Sequence, residues 1–226
     1  MLEAVLFDWN GTLSEVEWDH HLVAEGHRAA LAAIGSDVPL EDFTRRYRDV
    51  VLPRAGEPYA KLLRELLGDL TDEQVDVFID AEHEVWRPAH QVLSSAQALL
   101  ESLRSRGLHT GLVADSWPDP ARVLRGDVEA AGLADLLDTI VFSEDVGVRK
   151  PEPAIFLRAL ADLDVEPSRA LYVGDRLDKD VQGAARVGMA TVQAMWFRAD
   201  ESSVRARPDF QAFTPMDVLN VVRRLA

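Results

Sequence analysis

Apolar and polar positions along this chain alternate between two periods. Val5, Leu6 and Phe7 form a short apolar run that stops at Asp8. A run that short, bounded by Gly11, predicts a buried parallel strand with Asp8 at its carboxyl end. Over residues 17–34 the apolar positions Trp18, Leu22, Ala29, Ala30, Leu31 and Ile34 recur at helical spacing, and Gly35 supplies a stop. Three more helices are predicted, over 39–47, 58–67 and 71–86. Gly68 closes one of them, and Thr71 with Gln74 fits a capping box at the start of the next. The stretch from about Ser14 to Pro88 is read as helical throughout, with no strand in it.

From Ser94 onward helix and strand alternate. Helices are predicted over 96–103, 120–131, 153–163 and 180–187, with strands over 108–113, 139–142 and 170–173 between them. Short strands over 190–193 and 209–213 and a helix from Pro215 follow. Strands joined by single helices imply right-handed crossovers and a parallel sheet. The fold class expected is therefore α/β: a doubly wound parallel sheet interrupted after its first strand by an all-helical insert. The core is assigned residues 1–14 and 89–226. Residues 15–88 form the insert, which is expected to sit over the sheet edge as a cap.

Composition removes several alternatives. Hydrophobic residues at 47% and charged residues at 28% are those of a soluble globular protein. A formal charge of -15 argues against nucleic acid and anionic membrane as partners. An anionic substrate must then be drawn by local positive charge. The absence of cysteine excludes disulfides and Cys-ligated zinc. Met1 leads into the first strand with no basic leader or cleavage site, which predicts a cytoplasmic protein, monomer or homodimer. No apolar stretch approaches the ~18 residues that would span a bilayer.

Four stretches fall at the carboxyl ends of predicted strands, where open α/β sheets place their ligands: 8–12, 113–116, 148–151 and 174–180. Asp8 at such an edge can be a nucleophile, a metal ligand or the start of a turn. Lys150 is one of only three lysines among 24 basic residues, so a lysine there asks for a reason.

In this order the stretches resemble the motifs of the haloacid dehalogenase superfamily, in the branch with a helical cap between its first and second motifs. The family's DxDxT appears as Asp8-Trp9-Asn10-Gly11-Thr12, its lysine before proline as Lys150-Pro151, and its GDxxxxD as Gly174-Asp175 through Asp180. The resemblance implies a Mg²⁺-dependent hydrolase acting on a small phosphorylated substrate. Asp8 would be the nucleophile that forms an aspartyl-phosphate. Asp8, Asp175 and the backbone carbonyl of Asn10 would hold Mg²⁺. Lys150 would act as a point charge on the transferring group, and Asp180 would orient it or a metal-bound water. Phosphate contacts would come from Thr12, Lys150 and the backbone N–H groups of Asp115 and Ser116. Gly11 allows the turn, and the Thr12 side chain is expected to brace it.

Two positions depart from the pattern. Asn10 stands where most phosphatases of the family carry an aspartate as general acid and base, and losing such a group typically costs about 10² to 10⁴ in rate. Ala114 stands where the family usually holds a phosphate oxygen with Ser or Thr. These departures motivate a second class of reading, a weak or inactive member that binds a phosphorylated ligand or a partner protein. A phosphonatase would need Lys61 as a Schiff-base lysine, and Lys61 reads better as a surface helix residue. A metal-free 2-haloacid dehalogenase is disfavoured by the acidic fourth motif. Arg45, Arg46, Arg48 and Arg54 read as a solvated helix face, and Trp9 and Trp117 as packing residues. The six histidines show no metal spacing with a carboxylate partner.

Overall fold

The computed structural model describes residues 1–17, 20–197 and 206–225. Along the chain, strand β1 (Ala4–Phe7) is followed by β2 (Ser14–Val16) and by helices α1 (His20–Ala33), α2 (Leu40–Arg46), α3 (Tyr59–Leu67) and α4 (Asp72–Trp86). Then come β3 (His90–Val92), α5 (Ala96–Arg104), β4 (His109–Ala114), α6 (Ala121–Ala130), β5 (Thr139–Phe142), α7 (Ser143–Val146) and α8 (Pro153–Leu163). Strand β6 (Ala170–Gly174), α9 (Gln182–Val187), β7 (Ala190–Ala194), β8 (Phe210–Ala212) and α10 (Pro215–Leu225) complete it. The helix expected from residue 17 is assigned from His20, with Glu17 outside it, and residues 18 and 19 lie outside the described residues.

The chain divides into two compact units. The first holds residues 1–15, 92–115 and 125–226. Its sheet has the order β5-β4-β1-β6-β7-β8, every pair parallel. β1 lies inside the sheet, Phe7 pairing with Leu112 on one side and Val173 on the other. The strand order reverses around it, which opens a crevice at the carboxyl edge. Burial on both faces explains the continuous apolar run of β1, all four of whose residues are buried. One face packs Leu6, Val113 and Tyr172 against Ile155, Phe156 and Ala184 of α8 and α9.

The second unit holds residues 16–91 and 116–124. Its core joins Ala30 and Leu31 of α1 to Phe43 of α2, Tyr59, Leu62 and Leu63 of α3, and Val75, Phe78 and Ile79 of α4. The capping box of Thr71 and Gln74 is formed in both directions at the start of α4. Gly26 of α1 lets the Trp86 indole lie on the helix backbone: a Cβ added there would stand 2.3 Å from Trp86 Nε1, which donates to the Leu22 carbonyl.

Two expectations need correction. The stretch after Ser14 is not wholly helical, because Ser14–Val16 pairs with His90–Val92 as a two-stranded sheet. Strands of three residues carry too few positions to register as a period of two. The segment 116–124, expected in the α/β core, groups with the helical unit. Trp117 and Val123 pack against that unit's core, and Arg122 pairs with Asp76 at 2.9 Å and Asp80 at 2.5 Å.

Candidate active site

Asp8 follows the last residue of β1 and is fixed by its own N–H, which donates to the Val173 carbonyl at 2.9 Å. The chain then turns sharply. Thr12, Leu13 and Ser14 all donate backbone N–H groups to the Trp9 carbonyl, and Gly11, at φ 86°, supplies the left-handed residue that the turn needs. The backbone therefore braces this loop. Thr12 Oγ1, expected to do so, is buried with no hydrogen-bond partner among the described residues, and so is Asn10 Oδ1.

Lys150 reaches Asp8 from the segment between α7 and α8, which follows edge strand β5. Its Nζ lies 2.6 Å from Asp8 and 2.6 Å from Asp180, and donates to the Tyr172 hydroxyl at 3.2 Å. All four side chains are buried, Asp180 completely. Burial opposes the ammonium charge, but Asp180 and then Asp8 outweigh it and hold Lys150 well above its usual range. The sequence pattern marks Tyr172 only as a residue of strand β6. Its hydroxyl donates to the Val113 carbonyl at 2.8 Å, and Phe156 meets its ring edge to face at 5.1 Å. A tyrosine inside a buried strand must find a partner for its polar tip, and that was the signal available in the sequence.

The 174–180 loop positions two more carboxylates. Gly174 lets the strand end approach Asp180: a Cβ there would stand 2.4 Å from the Asp180 carboxyl carbon. The Arg176 N–H donates to Asp180 at 3.0 Å, which fixes that side chain toward Lys150. Asp8, Asp175 and Asp180 offer oxygens that all lie within 4.8 Å of one another. Asp178 pairs with Arg176 instead.

Asp115, after β4, has a role that spacing did not disclose. One of its oxygens accepts the Lys150 backbone N–H at 2.9 Å, and the other takes Lys179 at 3.0 Å and Arg149 at 3.3 Å. Burial works against its charge, yet Lys150, Lys179 and Arg149 hold the carboxyl below the usual range. The side chain thus clamps the Lys150 loop onto the end of β4. Ala114 ends that strand, buried, and Ser116, the next residue but one, belongs to the helical unit.

Asp8, Asp175 and Asp180 gather three carboxyl groups in one cluster, with the Lys150 ammonium against Asp8 and Asp180, while Lys179 and Arg149 pair with Asp115. Burial pushes the Asp8 carboxyl up to about 8 against the pull of Lys150, with Asp180 and Asp175 adding to the rise. These clustered carboxylate oxygens are hard donors, and the set fits a hard divalent cation such as Mg²⁺, which would offset their negative charge.

The other candidates have partners of their own. Lys61 is 57% exposed and bonded to Glu57 at 2.9 Å. Arg45, Arg48 and Arg54 pair with Asp42, Asp49 and Glu57, and Arg46 donates to the Glu65 carbonyl. Trp9 is buried, and Trp117 packs on Tyr59 at 6.3 Å.

A family model for haloacid dehalogenase-like hydrolases matches residues 2–188. Over its full length the chain is 31% identical to a glyceraldehyde 3-phosphate phosphatase from Methanopyrus kandleri, across 100% of this chain and 99% of the relative. Among solved structures, a haloacid dehalogenase-type phosphatase from Thermococcus onnurineus superposes with a TM-score of 0.70 at 26% identity, over 98% of each chain. A 2-haloacid dehalogenase from Pseudomonas syringae superposes with a TM-score of 0.69, also at 26% identity, over 100% of each chain.

Proposed function

The chain belongs to the haloacid dehalogenase-like hydrolase family, and on that footing we propose that it is a Mg²⁺-dependent phosphatase of a small phosphorylated metabolite. The observation that carries this reading is Lys150 Nζ held 2.6 Å from both Asp8 and Asp180, beside Asp175, at the carboxyl edge of the central strand. An all-oxygen, acidic donor set of this kind supports phosphoryl chemistry over metal-free dehalogenation. An exposed, ion-paired Lys61 gives no support to a Schiff-base route.

In the proposed reaction a carboxylate oxygen of Asp8 attacks phosphorus, the bond to the leaving oxygen breaks, and an aspartyl-phosphate forms. Water then cleaves that intermediate, returns the Asp8 carboxylate and releases inorganic phosphate. Mg²⁺, held by Asp8, Asp175 and the backbone carbonyl of Asn10, would supply the charge that lets a phosphate dianion approach a carboxylate. Lys150 places a second positive charge on the transferring group, at a position fixed by Asp180, Tyr172 and the Asp115 clamp. The backbone N–H groups of Asp115 and Ser116, with Thr12, complete the phosphate contacts in this reading. Asn10 neither gives nor takes a proton, so the leaving oxygen must collect its proton from solvent. Substrates with good leaving groups are favoured accordingly.

Hydrolysis of an aryl phosphate with Mg²⁺ tests the proposal. Slow turnover is expected in the wild type, none in Asp8→Asn, and faster turnover in Asn10→Asp. No metal-dependent turnover in either the wild type or Asn10→Asp would sink the phosphatase reading and favour a binding role. Glyceraldehyde 3-phosphate, from the full-length relative, heads a panel of small phosphate esters for the natural substrate.

A further inference from the structure

The helical unit gathers a set of ligating side chains of its own. α4 carries His83 in its last turn and ends at Trp86. The 3-10 turn Arg87–Ala89, with a proline at its start, cannot continue the α-helix. It turns the chain so that His90, the first residue of β3, returns beside His83. The rings meet edge to face, centroids 5.4 Å apart and planes at 71°. Asp119 arrives from the segment that precedes α6, with an oxygen 3.4 Å from His83 Nδ1. One ligating atom from each of the three lies within 4.8 Å of the other two. His83 and Asp119 are 3% and 6% exposed, and His90 is half-buried.

Two ligands on a tetrahedral ion at about 2.1 Å stand about 3.4 Å apart. The His83–Asp119 edge already has that separation, and His90 completes a face by closing at most about 1.4 Å. Two imidazoles and one carboxylate form a donor set suited to Zn²⁺ and its neighbours, whereas the Asp8 cluster offers oxygen alone and suits Mg²⁺. We propose that His83, His90 and Asp119 form a second metal site, for an imidazole-preferring divalent ion such as Zn²⁺. Three protein ligands leave a fourth position for water or an added ligand. The ion ties the end of α4 to β3 and to the segment before α6, so it stiffens the helical unit. The site is independent of the phosphatase reading.

The test is Co²⁺ and Zn²⁺ titration of the full chain under saturating Mg²⁺, which occupies the oxygen site. One equivalent of Co²⁺ is expected to give a visible d–d band that Zn²⁺ removes, and Zn²⁺ is expected to raise the melting temperature. Asp175→Asn should keep the band. His90→Gln, at a half-buried position, should lose it and weaken Zn²⁺ binding by about 100-fold or more. X-ray absorption of the Zn²⁺-loaded wild type should count two histidine ligands, a readout that needs no variant. A wild type that takes up no Co²⁺ under Mg²⁺, a band retained in His90→Gln, or a Zn²⁺ shell without histidine would each overturn the proposal.

Discussion

Lys150 shows how one side chain can be held by three different constraints. Its ammonium is fixed by the Asp8 and Asp180 carboxylates and donates to the Tyr172 hydroxyl, and its backbone N–H is held by Asp115. Removing the charge leaves two buried carboxylates facing each other, and breaking a buried pair in that way costs about 3–5 kcal/mol. Lys150→Met is therefore expected to lose turnover and to be destabilised at neutral pH. Its Asp8 carboxyl, already raised by burial, would rise further without the lysine. A carboxyl whose folded pKa is raised contributes stability that is lost as pH rises, so this variant should regain stability as pH falls toward 5. Thermal melts across pH, compared with the wild type, check the sign. Tyr172→Phe removes the bond to Val113 and one contact to Lys150 while keeping the ring against Phe156. A loss of about 1–3 kcal/mol is expected, with turnover reduced but not abolished.

The elements place these residues where they are needed, and two glycines show how closely. At Gly174 the end of β6 touches Asp180, so Gly174→Ala should push that carboxylate off Lys150 and lower turnover more than stability. Gly26→Ala should instead part α1 from Trp86 and cost about 1–3 kcal/mol, seen as a lower melting temperature with the aspartate cluster unaffected.

A buried pair in the helical unit makes a pH prediction at the same scale. His27 and Glu82 face each other at 3.3 Å, and Tyr59 donates to Glu82 at 2.9 Å. Burial holds His27 down at about 4 and pushes the Glu82 carboxyl well above its usual value, so both are neutral when folded. In the unfolded chain between about pH 4.5 and 6.5 the histidine is charged and the glutamate ionised. Folding then moves one proton from one group to the other with no net uptake, and the pair leaves stability level across that window. Glu82→Gln breaks the balance. The unfolded chain then binds the extra proton on His27, and stability should fall by roughly 3 kcal/mol as pH drops from about 6.5 to about 4. Denaturant midpoints measured along that pH range decide it; a wild type that falls as steeply as the variant would contradict the neutral pair.

At the scale of the whole molecule, the net charge of -15 works against any phosphorylated substrate at long range. Added salt shortens the reach of that repulsion from about 30 Å at 0.01 M to about 8 Å at 0.15 M. The kcat/KM for an aryl phosphate dianion should therefore rise over this range, against the usual fall seen with electropositive enzymes.

The same scale explains what could be read from sequence. The parallel sheet, its helices and the strand-end positions of Asp8, Asp115 and Asp175 follow from local periodicity and punctuation, which a linear sequence carries. Asp115 as a clamp, Tyr172 as a partner of Lys150, and His83 beside His90 and Asp119 depend on contacts between distant segments, which no local period records. Strands β2 and β3 were lost for a simpler reason, since three residues cannot establish a period.

The interior position of β1 also governs how this protein is made. Residues 4–7 are synthesised before both neighbours of their strand, β4 and β6, which come about a hundred or more residues later. An apolar strand with two open edges must wait through that interval, and parallel pairing at long sequence separation is intrinsically slow. The helical unit draws most of its core from one continuous stretch, residues 16–91, and has no such delay. Pulse-labelled hydrogen exchange during refolding should find amides of α1 and α4 protected before those of β1. The strand that ends at Asp8 is thus built before either of its neighbours and is among the last pieces of the chain to be secured.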